Sequence, residues 1–384
     1  MSEELPRGDE RPSAPVSEEL PRIRVGIVGV GWGSVVITPA FRAVDDFEVR
    51  AICSRRSERV SAAAEKLGIA ETSTHWEEFV RRDDLDLIVV ATPTDLHRDQ
   101  AIAALEAGKH VLCEKPVALS GAQAREMLDA AERAGTAHAV CFEGRWMPDR
   151  LRVGELIRRR YLGDPYLVRF TSTADYWHPT RGLQSEWMYS AEAGGGYLRG
   201  MASHDVDFAC AMFGEPVAVC ADVRTSLPRR SRPDGGVLEV TADDTSTVLL
   251  RMADGGVVVI STCATAAGMD RRTFEAYGST GTITLEGTVQ PDPEGIRIRA
   301  ARAGDGAPVD VPLSDRALRS GAALPVRRAA RAIQALAFML EDWVPTLRDG
   351  APSQVPTFFD GWRTQRVVDA ALASSAGAGW VSLE

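Results

Sequence analysis

From Ile23 onward, short apolar runs alternate with longer amphipathic stretches. The runs predict strands over Ile23–Val28, Glu48–Cys53, Leu85–Ala91, His110–Cys113 and Ala137–Phe142. The stretches between them predict helices over Ser34–Val44, Glu58–Leu67, Arg98–Ala107 and Ala122–Ala134. A strand that is apolar at nearly every position has no face to give to water. Strands of that kind, each separated by a helix, indicate an α/β unit whose parallel sheet is covered on both sides.

Past residue 147 the pattern changes. Segments 166–174, 216–226, 237–252, 255–264, 272–285 and 295–301 read as longer strands joined by Gly- and Pro-containing turns. Val248, Leu250 and Met252 fall on one face of such a strand, which is the period-two alternation of a half-buried sheet. Two helical stretches, 326–346 and 358–374, close the chain. The expected fold is therefore a doubly wound α/β domain over 22–146 and an α+β domain with a large, mostly antiparallel open sheet over 147–384. Residues 1–21, rich in Pro, Glu, Arg and Ser, lack the apolar surface to offset ordering entropy and read as a disordered tail. The hexapeptide SEELPR occurs in it at 2–7 and again, running just past it, at 17–22; no function follows from the repeat.

Composition narrows the partners. A formal net charge of −10 argues against a nucleic-acid surface, and no apolar run is long enough to span a membrane. The tail has no apolar segment of the secretory kind. Six scattered cysteines without a CxxC pair read as small buried hydrophobes in a reducing, cytoplasmic setting. The basic cluster Arg229–Arg232 reads as a solvated loop.

The first strand runs into Gly29-Val30-Gly31-Trp32-Gly33-Ser34 and then a helix. This is close to G-x-G-x-x-G, with Ser34 at the third glycine. Gly29 permits a tight turn, Gly31 lets backbone approach a pyrophosphate, and the helix start offers free N–H groups to it. In this strand–turn–helix setting the run points to a nicotinamide dinucleotide on a Rossmann domain. The second strand ends in Ser54-Arg55-Arg56, where NAD-binding units carry an acidic residue for the ribose hydroxyls. A hydroxyl followed by two guanidinium groups suits a 2′-phosphate instead, so NADP(H) is favoured over NAD(H).

Further on come Thr92-Pro93-Thr94-Asp95-Leu96-His97, then Glu114-Lys115-Pro116, then Gly194-Gly195-Gly196 followed by His204. This order on a Rossmann start resembles the Gfo/Idh/MocA oxidoreductases, over nearly all of residues 22–384. The resemblance implies oxidation or reduction of a secondary alcohol on a sugar, cyclitol or similar ring, and a homodimer or homotetramer. It implies that Lys115 and His204 are catalytic, the lysine beside nicotinamide and substrate, the histidine as acid/base. It also implies cofactor contacts from Thr92, Pro93, His97, Glu114, Lys115 and Arg145, and substrate contacts from Lys115, Glu143, Trp187 and His204. No metal is expected, and Asp207 reads as structural.

Two positions depart from the family pattern. Gly200 stands where the family carries an Asp four residues before the histidine, and Glu143 replaces an amide. The first puts the proton chemistry in question and keeps two alternatives open. One is a cofactor-binding regulator without turnover; the other is an enzyme using transient redox for elimination or glycoside cleavage. Glu143 is either a site carboxylate or a salt-bridge partner. The stretch 175–199, with Asp175, Tyr176, Trp177, His178, Trp187, Tyr189 and Tyr197, suits a pyranose or aryl ring or, equally, a subunit interface.

Overall fold

In the computed structural model, residues 20–289, 295–314, 316 and 329–383 are described. The tail up to residue 19, most of the repeat, and positions 326–328 of the expected helix lie outside them. Six parallel strands form the first sheet in the order β3-β2-β1-β4-β5-β6. These are β1 (Ile23–Val28), β2 (Phe47–Cys53), β3 (Glu71–Ser73), β4 (Leu87–Val90), β5 (His110–Cys113) and β6 (His138–Val140). The chain winds one way from β1 to β2 and β3, and the other way through β4. The switch therefore falls between β1 and β4, where open sheets of this type leave a crevice at their carboxyl ends. The intervening helices are α1 (Thr38–Arg42), α2 (Ser57–Leu67), α3 (Trp76–Phe79), α4 (His97–Glu106) and α5 (Gly121–Ala134).

The helix expected over Ser34–Val44 is not regular. Residues 33–37 form a wide π-type turn, closed by the Thr38 N–H donating to the Gly33 carbonyl, and only Thr38–Arg42 is α-helical. Pro39 has no N–H to return to the residue four positions back, so the ladder resets there.

The second sheet has nine strands in the order β16-β15-β14-β13-β7-β12-β11-β8-β17. Its members are β7 (Pro165–Ala174), β8 (Pro216–Arg224), β11 (Thr245–Met252), β12 (Val257–Cys263), β13 (Asp270–Gly278), β14 (Gly281–Gly287), β15 (Arg297–Arg302), β16 (Val309–Val311) and β17 (Val381–Ser382). All its pairings are antiparallel except β7 with β12. Along β11 buried and open positions alternate, and Val248, Leu250 and Met252 all face the core. Two expected strands are split. The segment 272–285 turns back at Ser279-Thr280, and 237–252 divides into β10 (Val237–Glu239) and β11.

β10 pairs with β9 (Arg229–Ser231) as a separate ribbon, which corrects the solvated-loop reading of Arg229–Arg232. Arg230 is buried, donates to the Trp177 carbonyl and lies over the Tyr189 ring. Helix α6 (Pro148–Arg158) and helix α7 (Ser203–Phe213) belong to the second unit, and α3, β3 and α6 were not expected.

The two last helices alter the expected division of the chain. Ile333, Leu336, Leu340 and Trp343 of α8 (Ala330–Asp349) share one apolar core with Val25, Ile27, Phe41 and Val89 of the first sheet's unit. Helix α9 (Phe358–Ala373) buries Phe358 with α5 and Val367 with β8. The segment expected to be a single domain over 147–384 thus sends α8 back to cover the first sheet, because that helix's apolar face matches the bare side of β1. No helix among the described residues is long and apolar enough to cross a membrane.

Candidate functional site

The carboxyl ends of β1, β2, β4, β5 and β6 deliver the glycine turn, Ser54, Thr92, Glu114-Lys115 and Glu143 to one end of the sheet. Gly29 has φ 112°, and a Cβ there would overlap the Ala91 carbonyl oxygen at the end of β4. Only glycine allows the two strand ends to approach so closely. Gly31 is the opposite case, since a Cβ on it would meet nothing within 4 Å. Backbone with open space before it, at the mouth of the switch crevice, fits a pyrophosphate group. Gly33 is buried against Ile27, whereas Trp32 and Ser34 border the opening, Trp32 with an exposed indole.

At the end of β2, the Ser54 N–H donates to the Ser73 carbonyl, and Ser54 is half-buried. Arg55 and Arg56 follow it. Their guanidinium groups are exposed and without an ion-pair partner among the described residues.

His97 has both ring nitrogens beside main-chain carbonyls. Its ring is buried, with Nε2 2.8 Å from the Thr92 carbonyl oxygen and Nδ1 3.0 Å from that of Pro116. Burial lowers its pKa, so the neutral ring donates to one carbonyl and turns a lone pair to the other. It joins the loop after β4 to the loop after β5. Thr92 adds a hydroxyl bond to Gln100 at 2.8 Å, and Pro93 leads into the short turn 94–96.

Lys115 points across to the second unit. Its Nζ donates to the Gly200 carbonyl oxygen at 2.8 Å. Gly200 lies in a π-type turn, Leu198–Ala202, that opens α7. The Leu198 N–H at the start of that turn donates to the Asp243 carboxylate at 2.7 Å. Gly195 fits between the turn and the Met188 carbonyl, where a Cβ would clash, so the glycine run sets the approach of this loop.

Around Lys115 the electrostatics divide. Glu114 is buried and accepts from the Lys115 N–H at 3.1 Å, with its carboxyl pKa raised by burial. Glu143 is buried too, and its Oε2 has no hydrogen-bond partner. Burial first, then the Glu114 charge, push its pKa up to about 8, against the opposing pull of Lys115. His204, second residue of α7, lies edge-on to Phe142 with ring centroids 5.8 Å apart. A Cβ on Gly144 would sit 2.9 Å from its Nδ1, which is buried without a partner. Burial, then Lys115, Arg150 and Arg272, hold His204 well below the usual imidazole pKa. A neutral ring so reluctant to protonate can accept or donate a hydrogen bond but is a poor store for a proton.

Other expected residues are committed to structure. Arg145 donates from Nε to Asp207 at 2.6 Å and from its other end to Asp360 at 2.8 Å, tying α7 to α9. Asp205 pairs with Arg150, and Asp149 with Arg272. Thus Asp205 and Asp207, beside His204, spend their carboxylates on arginines. Sequence reasoning missed Arg150 and Arg272, because ion pairs inside a core leave no apolar signature. The aromatic stretch resolves as packing: Trp177, Tyr189 and Tyr197 form their own buried cluster, with Trp177 5.0 Å from Tyr189 and 5.7 Å from Tyr197. Trp187, half-buried, bears with its carbonyl on Gly195.

Comparison with known proteins agrees with this arrangement. Residues 23–142 match the oxidoreductase family with NAD-binding Rossmann fold, and 151–284 match the GFO/IDH/MocA C-terminal domain. A levoglucosan dehydrogenase of Pseudarthrobacter phenanthrenivorans is 27% identical, the match covering 95% of this chain and 99% of that one. A D-apiose dehydrogenase of Paraburkholderia graminis is 30% identical across 69% of this chain and 68% of its own. Levoglucosan dehydrogenase solved with NADH and L-sorbose superposes with a TM-score of 0.82 at 26% identity, covering 95% of this chain and 100% of that chain.

Proposed function

The chain belongs to the Gfo/Idh/MocA oxidoreductase family, and on that premise we propose that it is an NADP(H)-dependent dehydrogenase or ketoreductase. Its substrate would be a secondary alcohol or ketone of a sugar, cyclitol or similar ring. The observation that carries this reading is Lys115, aimed from the first sheet's carboxyl end at the Gly200 carbonyl across the crevice. An ammonium held there stabilises negative charge developing on a substrate oxygen. The bound dinucleotide supplies the hydride acceptor or donor. His204, kept neutral by burial and three cations, orients the substrate by a hydrogen bond.

The preference for NADP(H) is supported by Ser54 and the unpaired Arg55 and Arg56, which would hold a 2′-phosphate by charge and fork geometry. The relatives that carry sugar names support the ring substrate. A homo-oligomer is proposed through the outer face of the second sheet, where Leu167, Leu249 and Val259 are only partly covered. Fluorescence titration with NADPH and NADH, on wild type and Arg55→Ala, tests the cofactor reading. Equal affinities in the wild type would remove the 2′-phosphate argument. Incubation with NADP+ and levoglucosan, D-apiose or myo-inositol tests the substrate class.

A further inference from the structure

We propose that Arg150 and Gly144 form the seat that orients the His204 imidazole for the reaction, with Arg150 as the positioning residue. The proposal rests on the oxidoreductase reading above. The first turn of α7, which carries His204, leads out of a π-type turn and has no side-chain cap. Groups from outside the helix hold it instead. The guanidinium of Arg150, at the start of α6, donates to the His204 carbonyl at 3.1 Å and pairs with the Asp205 carboxylate. It also lies 5.3 Å from the centre of the Phe208 ring. Positions 204, 205 and 208 share one side of a helix, so a single side chain grips that side of α7. A flat fork of N–H donors can serve a carbonyl and a carboxylate together while resting on a ring, which an ammonium does poorly. The Arg150 N–H donates to Asp149 at 3.0 Å, and Asp149 pairs with Arg272 of β13, so the grip is anchored to the second sheet.

Gly144 is the other half of the seat. It does not adopt a left-handed φ, so its backbone does not call for glycine. The space does. A Cβ there would stand 2.9 Å from His204 Nδ1, 3.3 Å from its Cγ and 3.4 Å from an Arg150 guanidinium nitrogen. Imidazole and guanidinium thus meet over one bare Cα, and Phe142 approaches the ring edge-on at 5.8 Å. Arg145, in the same turn as Gly144, donates to Asp207 at 2.6 Å, which fastens turn and helix a second time. Burial comes first in holding the ring neutral, and Lys115, Arg150 and Arg272 add to it. What the seat supplies is orientation. An imidazole displaced by about 1 Å loses its alignment with a reacting oxygen, which costs up to about 100-fold in rate.

The test compares wild type with Gly144→Ala, Arg150→Lys and the double variant Arg150→Met/Asp205→Asn, which removes the buried pair together and leaves no lone charge. Imidazole NMR of the cofactor-free protein reads the seat directly. The signal absent from His204→Ala is the His204 ring, and it should shift in all three variants. With levoglucosan, D-apiose and myo-inositol as probes, kcat should fall about 10-fold in Gly144→Ala and in Arg150→Lys, with KM and dinucleotide affinity within about 2-fold of wild type. In a His204→Ala background the same two substitutions should lower kcat no further, because their effect passes through the ring. Gly144→Ala breaks no ion pair, so it decides the matter even if the arginine variants fail to fold. A His204 signal unmoved by Gly144→Ala overturns the proposal, and so does a wild-type kcat in that variant or an undiminished effect without His204. Failure of the wild type on every probe would count against the substrate reading alone, and the imidazole spectra would still decide whether the seat holds the ring.

Discussion

Two glycines face the site from opposite units, and they differ in what a side chain would meet. A Cβ on Gly29 would overlap the Ala91 carbonyl, whereas one on Gly200 would find nothing within 4 Å. Gly29 is fixed by backbone geometry, in the turn that makes the crevice. Gly200 is free to be something else, in the turn whose carbonyl holds Lys115. On the first-sheet side, main-chain geometry does the binding and admits little variation. On the second-sheet side the lysine's partner is a main-chain carbonyl.

The sharpest way to break this contrast is to add one carbon at each position. Gly29→Ala should cost on the order of 3 kcal/mol or more, from the positive φ and the overlap together, and abolish dinucleotide binding by fluorescence. Lys115→Met comes next: the dinucleotide still binds, but kcat falls by about 10³-fold as the oxygen loses its cation. Arg55→Ala should weaken NADPH about 10-fold while leaving NADH unchanged, which separates the 2′-phosphate contact from the rest of the loop. Glu143→Gln probes the buried, unpartnered carboxyl at the first sheet's end through stability. The folded carboxyl has its pKa raised from 4.5 to about 8, so its burial costs nothing below pH 4.5, costs progressively more as pH rises from 4.5, and reaches its full cost above about 8. The Gln variant should therefore be more thermostable than wild type at pH 8 and above, and no more so at pH 4.5. Smallest of all, Gly200→Asp alone should change stability by less than about 0.5 kcal/mol, read from thermal or urea unfolding.

The same contrast explains what was legible in the sequence. The first sheet reads directly because β4 is buried at every position, and β1 and β5 are buried and apolar past their partly exposed starts, Ile23-Arg24 and His110. The helix after the glycine turn misreads only where Pro39 interrupts its ladder. Helix α6 was missed because its inward positions include Asp149 and Arg150, whose partners Arg272 and Asp205 lie far along the chain. The aromatics of 175–199 suit a sugar platform and a subunit interface by the same composition, and coordinates were needed to show that Trp177, Tyr189 and Tyr197 form a buried cluster within the chain. Lys115 and His204 stand out in the sequence through their motifs. The roles of His97 and Glu143 needed coordinates, since one depends on two carbonyls brought together by different strands and the other on an empty acceptor.

The central claim is that this crevice binds a nicotinamide dinucleotide and that Lys115 drives hydride exchange with a ring alcohol. The direct measurement is nicotinamide absorbance on mixing the protein with NADP+ or NAD+ and levoglucosan, D-apiose or myo-inositol. Reduced nicotinamide should accumulate, faster with NADP+, and the Lys115→Met protein should bind the dinucleotide without producing it. Tight binding with no reduced nicotinamide from any pair, or equal turnover by Lys115→Met, would contradict the account.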